Sequence, residues 1–223
     1  LNLFDAIPAN LQTSRQVHHI FLGLVADDKS DAALSFLKRC ASCGYLEPQR
    51  MYENALAASR QLLRPLWQQL VELEVPVTAK ILTEAAKACM DRSYGVEAAE
   101  MVEYAAGRGL GIDSNVFTYA LTAVRKDRRA ERAAQACRDV VQNLLAGMDK
   151  RHASQAVYHA AIAAAMTYGF VELTEQLLAH MKEAKIRYDG VTLNSLCIPQ
   201  RATAEKVSHE KLFELVKHVM NEG

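Results

Sequence analysis

The 223-residue sequence has little of what breaks or staples a chain: 10 glycines, 5 prolines, one tryptophan and 7% aromatic residues. So few breakers exclude collagen-like and low-complexity classes, and an apolar share of 50% excludes a disordered one. Net charge is missing too. The 26 Lys and Arg balance 26 Asp and Glu, which argues against a protein held to nucleic acid by bulk charge. No apolar run approaches the roughly 18 residues that cross a bilayer; the longest is the mixed stretch Val157 to Met166, and no membrane partner is expected.

Cysteines are few and odd in number: Cys40, Cys43, Cys89, Cys137 and Cys197. Scattered over a chain of this length they do not make a disulfide framework, and a reducing compartment follows. Cys40 and Cys43 form one C-x-x-C, but no second pair stands at zinc-like spacing and no strand precedes it, so they read as two small apolar residues one helical turn apart, with no metal. The chain begins at Leu1 rather than methionine, which reads as a processed or trimmed form with any targeting peptide outside it.

Catalytic motifs are also lacking. There is no G-x-S-x-G, no G-K-[ST] and no H-E-x-x-H. Gly107-Arg108-Gly109-Leu110-Gly111 looks like the opening of a dinucleotide loop, but a helix precedes it, so these glycines read as a helix stop and turn. His18-His19 and His209-Glu210 each lack a third ligand. Ser208 suits an N-cap for the last helix. The expectation is a non-enzyme with no cofactor, no metal and no small-molecule substrate.

What is abundant is alanine, with 35 copies, including Ala160, Ala161, Ala163, Ala164 and Ala165. Alanine has the best helix propensity and lets helices approach closely, while β-branched and aromatic runs are scarce. The fold class predicted is all-α.

A period then emerges. Gln155 to Asp189 divides into a helix at Val157 to Thr167, a turn at Tyr168-Gly169 and a second helix from about Val171 to Ala184. Leu173, Leu177, Leu178 and Met181 form one helical stripe that a neighbour must cover. The exit Ile186 to Asp189 leads into Val191 to Leu196, which opens another first helix. In the same register, 79–113 predicts helices at Lys80 to Met90 and Gly95 to Ala106, and 14–48 predicts helices at Gln16 to Val25 and Asp31 to Ser42. The intervening units are irregular. Residues 49–78 are short, with Pro65 near the start of the second helix, and 114–154 is long, with a second helix from Ala130 to about Ala146. Tyr52-Glu53 and Phe117-Thr118 stand where Tyr158-His159 stands. Residues 190–223 start a sixth unit that Pro199 cuts short, followed by a capping helix from about Ser208 to Asn221 with Leu212, Leu215, Val216 and Val219 on one face.

The strongest unit, with Val157-Tyr158-His159 opening its first helix, Gly169 at the turn, Met181 late in the second helix and the Ile186 to Asp189 exit, resembles a pentatricopeptide repeat. The Trp and Pro marks of a tetratricopeptide unit are missing. The resemblance implies a right-handed α-solenoid of helix-turn-helix repeats, found mainly in mitochondria and plastids, whose members bind RNA or serve as subunits of organellar ribonucleoproteins. In members that read sequence, each repeat reads one base through a residue just after the opening aromatic and the last residue of the repeat. Carried over, the candidates are His159 with Asp189, Thr83 with Asp113, and Asn194; His18 would pair with Pro48 and Thr118 with Ser154. Only Thr83 with Asp113 matches a usual pairing, the one associated with guanine, and the uneven spacing argues against consecutive base reading.

Charge is unevenly placed. Arg125, Lys126, Arg128, Arg129 and Arg132 gather five cations at the turn of the fourth unit, readable either as a phosphate-contacting patch or as a solvated turn. Glu97, Glu100 and Glu103 read as an acidic stripe facing water or a basic protein. Two functions follow. The favoured one is a scaffold subunit of a ribonucleoprotein of the mitochondrial matrix, most simply the mitochondrial ribosome or its assembly intermediate. It would dock through protein subunits with minor ribosomal RNA contact. The other is a free single-stranded RNA-binding factor acting in transcript processing, stability or translation, with a plastid as the alternative address.

Overall fold

The computed structural model describes residues 14–42, 48–148, 153–201 and 206–222. Cys43 and residues 44–47, at the end of the unit 14–48, lie outside the described residues. Among the described residues the chain forms twelve α-helices and no strand. They are α1 Ser14–Ala26, α2 Ser30–Ser42, α3 Pro48–Ala58, α4 Leu63–Glu72, α5 Ala79–Arg92 and α6 Gly95–Gly107, then α7 Ser114–Lys126, α8 Ala130–Gly147, α9 Gln155–Thr167, α10 Val171–Glu183, α11 Gly190–Leu196 and α12 His209–Glu222. The predicted helices are all present, with ends shifted by one or two residues.

Contacts divide the chain into two compact units, residues 1–88 and 89–223, with the boundary inside α5. In the first unit α1 packs on α2 and α3, and α2 packs on α3 and α4. Tyr52 is fully buried, and its hydroxyl donates to Gln69 Oε1 at 3.2 Å, while Gln69 Nε2 donates to the Leu34 carbonyl at 3.2 Å. Pro65 is the third residue of α4, in the first turn, where a missing N–H leaves no helical bond unmade.

In the second unit the odd and even helices form two layers, with α7, α9 and α11 packing in series and α6, α8 and α10 packing in series beside them. This is a helical repeat-like all-α arrangement. The predicted stripe of α10, Leu173, Leu177, Leu178 and Met181, is buried, as are Ala161, Ala163, Ala164 and Ala165 of α9. Tyr158 is fully buried as well, its hydroxyl 2.7 Å from Nδ1 of His180 on α10. Pro199 follows the short α11, and α12 turns Leu215 and Val219 inward. Ser208 caps α12, its hydroxyl accepting from the Lys211 N–H at 3.2 Å.

One turn recurs. Six helices close with an N–H donating back five residues, preceded by a residue in the left-handed region: Asp28, Glu74, Ser93, Gly109, Gly169 and Lys185, with φ between 50° and 77°. This is the Schellman closure. The bonds are Lys29 to Leu24, Val75 to Leu70, Tyr94 to Cys89, Leu110 to Ala105, Phe170 to Ala165 and Ile186 to Met181, at 2.8 to 3.1 Å. In five of the six the donor is apolar or aromatic, which seats the exit against the helix it leaves. The unit 114–154 uses the closure at neither end: α7 stops at Asp127 in extended backbone, and α8 runs 18 residues to Met148, also extended.

Ala at Gly169 should lower stability by about 1 kcal/mol, and Gly at Lys185 should raise it by about 0.5 kcal/mol, because left-handed backbone penalises a Cβ more than glycine's entropy penalises the fold. Chemical denaturation of the two variants checks both signs.

Candidate nucleic-acid interface

The basic turn between α7 and α8 contains a single carboxylate that organises it. Asp127 is buried, its side chain only 2% exposed. Its Oδ2 accepts from the backbone N–H groups of Gly95 at 2.8 Å and Val96 at 3.3 Å, so it caps the N-terminus of α6 from a neighbouring element. Its Oδ1 accepts from the Arg129 backbone N–H at 2.9 Å and Nε at 3.0 Å. The Arg129 guanidinium then bridges Asp127, at 2.6 Å, to Glu97, which it grips through both terminal nitrogens at 2.9 and 2.5 Å. Burial alone would raise the Asp127 carboxyl; the hydrogen bonds from Arg129 and Val96 and the guanidinium charge outweigh it and hold the group below its ordinary value.

The fit depends on Gly95. A Cβ there would lie 2.4 Å from the Val124 Cα and 2.9 Å from its nitrogen, so the N-terminus of α6 meets the last turn of α7 backbone to backbone.

This arrangement sorts the five predicted cations. Arg129 is a structural residue with its fork on two carboxylates. Arg125 is half-buried at the end of α7, where a positive charge suits the helix dipole. Its carbonyl accepts from Arg201 Nη2 at 2.6 Å. Arg201 also lies 5.1 Å from the Tyr168 ring centroid, and the Tyr168 hydroxyl donates to the Val124 carbonyl at 2.7 Å. Lys126, Arg128 and Arg132 remain exposed. The predicted acidic stripe is corrected: Glu97 is buried and paired, while Glu100 and Glu103 are exposed. Glu97 stands at the edge of that stripe, in the first turn of α6, where the Arg129 guanidinium covers it.

Of the predicted base-reading residues, Asp113, Asp189, His159 and Thr83 make bonds within the fold. Asp113 caps α7, accepting from the Val116 N–H at 2.8 Å. Asp189 caps α11 in a reciprocal box with Thr192, whose N–H donates at 2.8 Å and hydroxyl at 3.0 Å. The Thr192 N–H, helped by its hydroxyl and by His159, keeps Asp189 below the usual carboxylate value against the opposing effect of burial. His159 Nε2 stands 3.1 Å from Asp189 Oδ1 and 3.2 Å from Thr192 Oγ1. The structure therefore brings His159 and Asp189 together, and joins them to each other. In the first unit the residue matching His159 behaves alike: Glu53 accepts from the Thr78 hydroxyl at 2.9 Å and pairs with Lys80 at 3.1 Å. Thr83 donates to the Ala79 carbonyl at 2.8 Å and belongs to a different unit from Asp113. Asn194 is exposed on α11.

Glu97, Asp127, Gly95 and Arg201 escaped sequence reasoning. The available signal was Asp127 itself, an acid in the middle of a cationic run. Cys137 is a core residue of α8 whose burial pushes the thiol up to about 12. Among the described residues no three His, Cys, Asp or Glu side chains converge on a metal position. Compared with known proteins, the chain matches no family model and no curated sequence.

Asp127→Ala should destabilise by about 2 kcal/mol, since it uncaps α6 and removes the carboxylate that holds Arg129 against Glu97. Gly95→Ala should cost about 2 kcal/mol through backbone overlap. Because the Asp127 value is depressed, its contribution is complete above the ordinary carboxylate range and is lost as pH falls through the depressed value. Denaturation midpoints measured from neutral to acid pH should therefore fall less steeply in Asp127→Asn than in the wild type.

Proposed function

We propose that the chain is a non-catalytic scaffold, a right-handed α-solenoid resembling the pentatricopeptide repeat, that docks through protein contacts in an organellar ribonucleoprotein. The mitochondrial ribosome or its assembly intermediate, in the matrix, is the particle we favour. Lys126, Arg128 and Arg132 make its minor phosphate contacts. One observation carries this reading: four of the side chains standing where a base-reading repeat meets its nucleotide, Asp113, Asp189, His159 and Glu53, are engaged by the fold. Asp113 and Asp189 cap helices, and His159 and Glu53 face hydrogen-bonding partners of the fold. A base arriving there would have to displace caps, each typically worth about 1 kcal/mol. Zero net charge supports the same conclusion, because nonspecific affinity for nucleic acid scales with the phosphates neutralised. The alternative, a free RNA-binding factor, draws support from the exposed Lys126, Arg128 and Arg132 edge alone.

Purified full-length chain should bind single-stranded RNA only weakly, without base preference, at physiological salt. The residual affinity should have a shallow salt slope that falls by about 2 in Lys126→Ala/Arg128→Ala/Arg132→Ala, at roughly 0.7 per phosphate contact. The endogenous protein should sediment with ribosome-sized particles. Sub-micromolar, sequence-selective binding that Thr83 or Asp113 substitutions alter would replace the scaffold reading with the RNA reader.

A further inference from the structure

The large apolar side chains that stand exposed among the described residues all belong to the last two helices: Val191, Phe213 and Met220, at 50%, 67% and 67% exposure. Phe213 and Met220 are seven residues apart, on one side of α12, and this side is distinct from the inward face carrying Leu215 and Val219. Val216, half-buried, continues the apolar surface from one to the other. α12 thus buries one apolar face in the fold and leaves a second stripe open.

The charges beside the stripe indicate its occupant. At about 100° per residue, Glu210 and Lys217 fall along one flank of Phe213 and Met220 with the same seven-residue spacing, and both are exposed. The other charges of α12 are engaged by its own fold: Lys211 pairs with Glu175 at 2.9 Å and reaches Glu214 at 3.5 Å, and Glu222 pairs with Lys182. The opposite flank is apolar, through the half-buried Leu212, and runs into the buried face at Val219. A flank with one acid and one base a heptad apart is self-complementary when two copies run antiparallel. Setting Phe213 against the second copy's Val216, and Val216 against its Phe213, brings each Glu210 to within two residues, about 3 Å along the axis, of the other copy's Lys217, within reach of its long side chain. A parallel pairing sets the charged flank against the apolar one and leaves both charges unmatched. A helix whose edge carries a single sign of charge would meet one attraction and one repulsion.

We propose that the outer face of α12, from Phe213 through Val216 to Met220, binds the same face of a second copy of this chain in an antiparallel, two-fold pair closed by two Glu210–Lys217 contacts. A single pair of helices this short buries less than the roughly 1,200 Å² of a standard stable interface, so the association is weak and reversible. It is independent of the scaffold reading, since a scaffold and a free factor alike could pair in this way.

The test is sedimentation equilibrium of the full chain from about 1 µM to several hundred micromolar, where the wild type should pass from monomer to dimer. Phe213→Ser/Met220→Ser should weaken association by about tenfold or more. Glu210→Lys and Lys217→Glu, each alone, place like charges across the pair and should each weaken it by about tenfold, whereas the double exchange Glu210→Lys/Lys217→Glu should restore it. An equimolar mixture of the two single variants, one with a wholly basic flank and the other with a wholly acidic one, should associate more tightly than either alone. All four side chains are exposed, so circular dichroism should be unchanged throughout. A wild type that stays monomeric over the whole range, association that the Phe213 and Met220 changes leave intact, or single charge changes that the double exchange does not rescue would overturn the antiparallel pair.

Discussion

A buried carboxylate at the turn of the fourth unit holds the second compact unit in register. Asp127 sits where α7 stops, caps the start of α6, orients Arg129 and through it secures Glu97. None of these groups tolerates burial alone, so each fixes the position of the others. The turn has lost the left-handed closure used by its neighbours, and the ion pair replaces it with a tie between elements. Gly95 is what allows the tie to form, because the backbone of α6 must come up against Val124 before its N–H groups can reach Asp127.

The same economy governs the other ionisable groups. Asp113 and Asp189 end as helix caps, and His159, Glu53 and Arg129 end in pairs. Two exposed features of the second unit stand apart: the cations Lys126, Arg128 and Arg132 beside the turn between α7 and α8, and the apolar outer face of α12 with Glu210 and Lys217 along its flank.

Helix positions were legible because apolar periodicity and alanine content act within a single element. The stripe of α10, the entry of Pro65 and the long α8 all stand as the pattern implied. Turns were legible where glycine marks left-handed backbone, at Gly109 and Gly169, and illegible where Asp28, Glu74, Ser93 and Lys185 adopt it, since the bond back to the helix there compensates a residue type that gives no local sign. The site was least legible. Charge at Arg129 and Glu97 looks like surface in one dimension, and only contact between residues 32 apart turns it into a buried pair. Likewise Asp189 and His159 were brought together by their expected roles and are joined by a cap, a use that spacing alone does not separate from base recognition.

The central claim is that the carboxylates in base-reading register belong to the fold. The amides of Val116 and Thr192, which donate to Asp113 and Asp189, report those caps directly. Following their resonances while the full chain is titrated with a randomised single-stranded RNA tests the claim. They should stay in place to saturating RNA, with any shifts confined to the vicinity of Lys126, Arg128 and Arg132. Saturable shifts at Val116 and Thr192 would contradict the account, because they would mean that the caps open to admit a base.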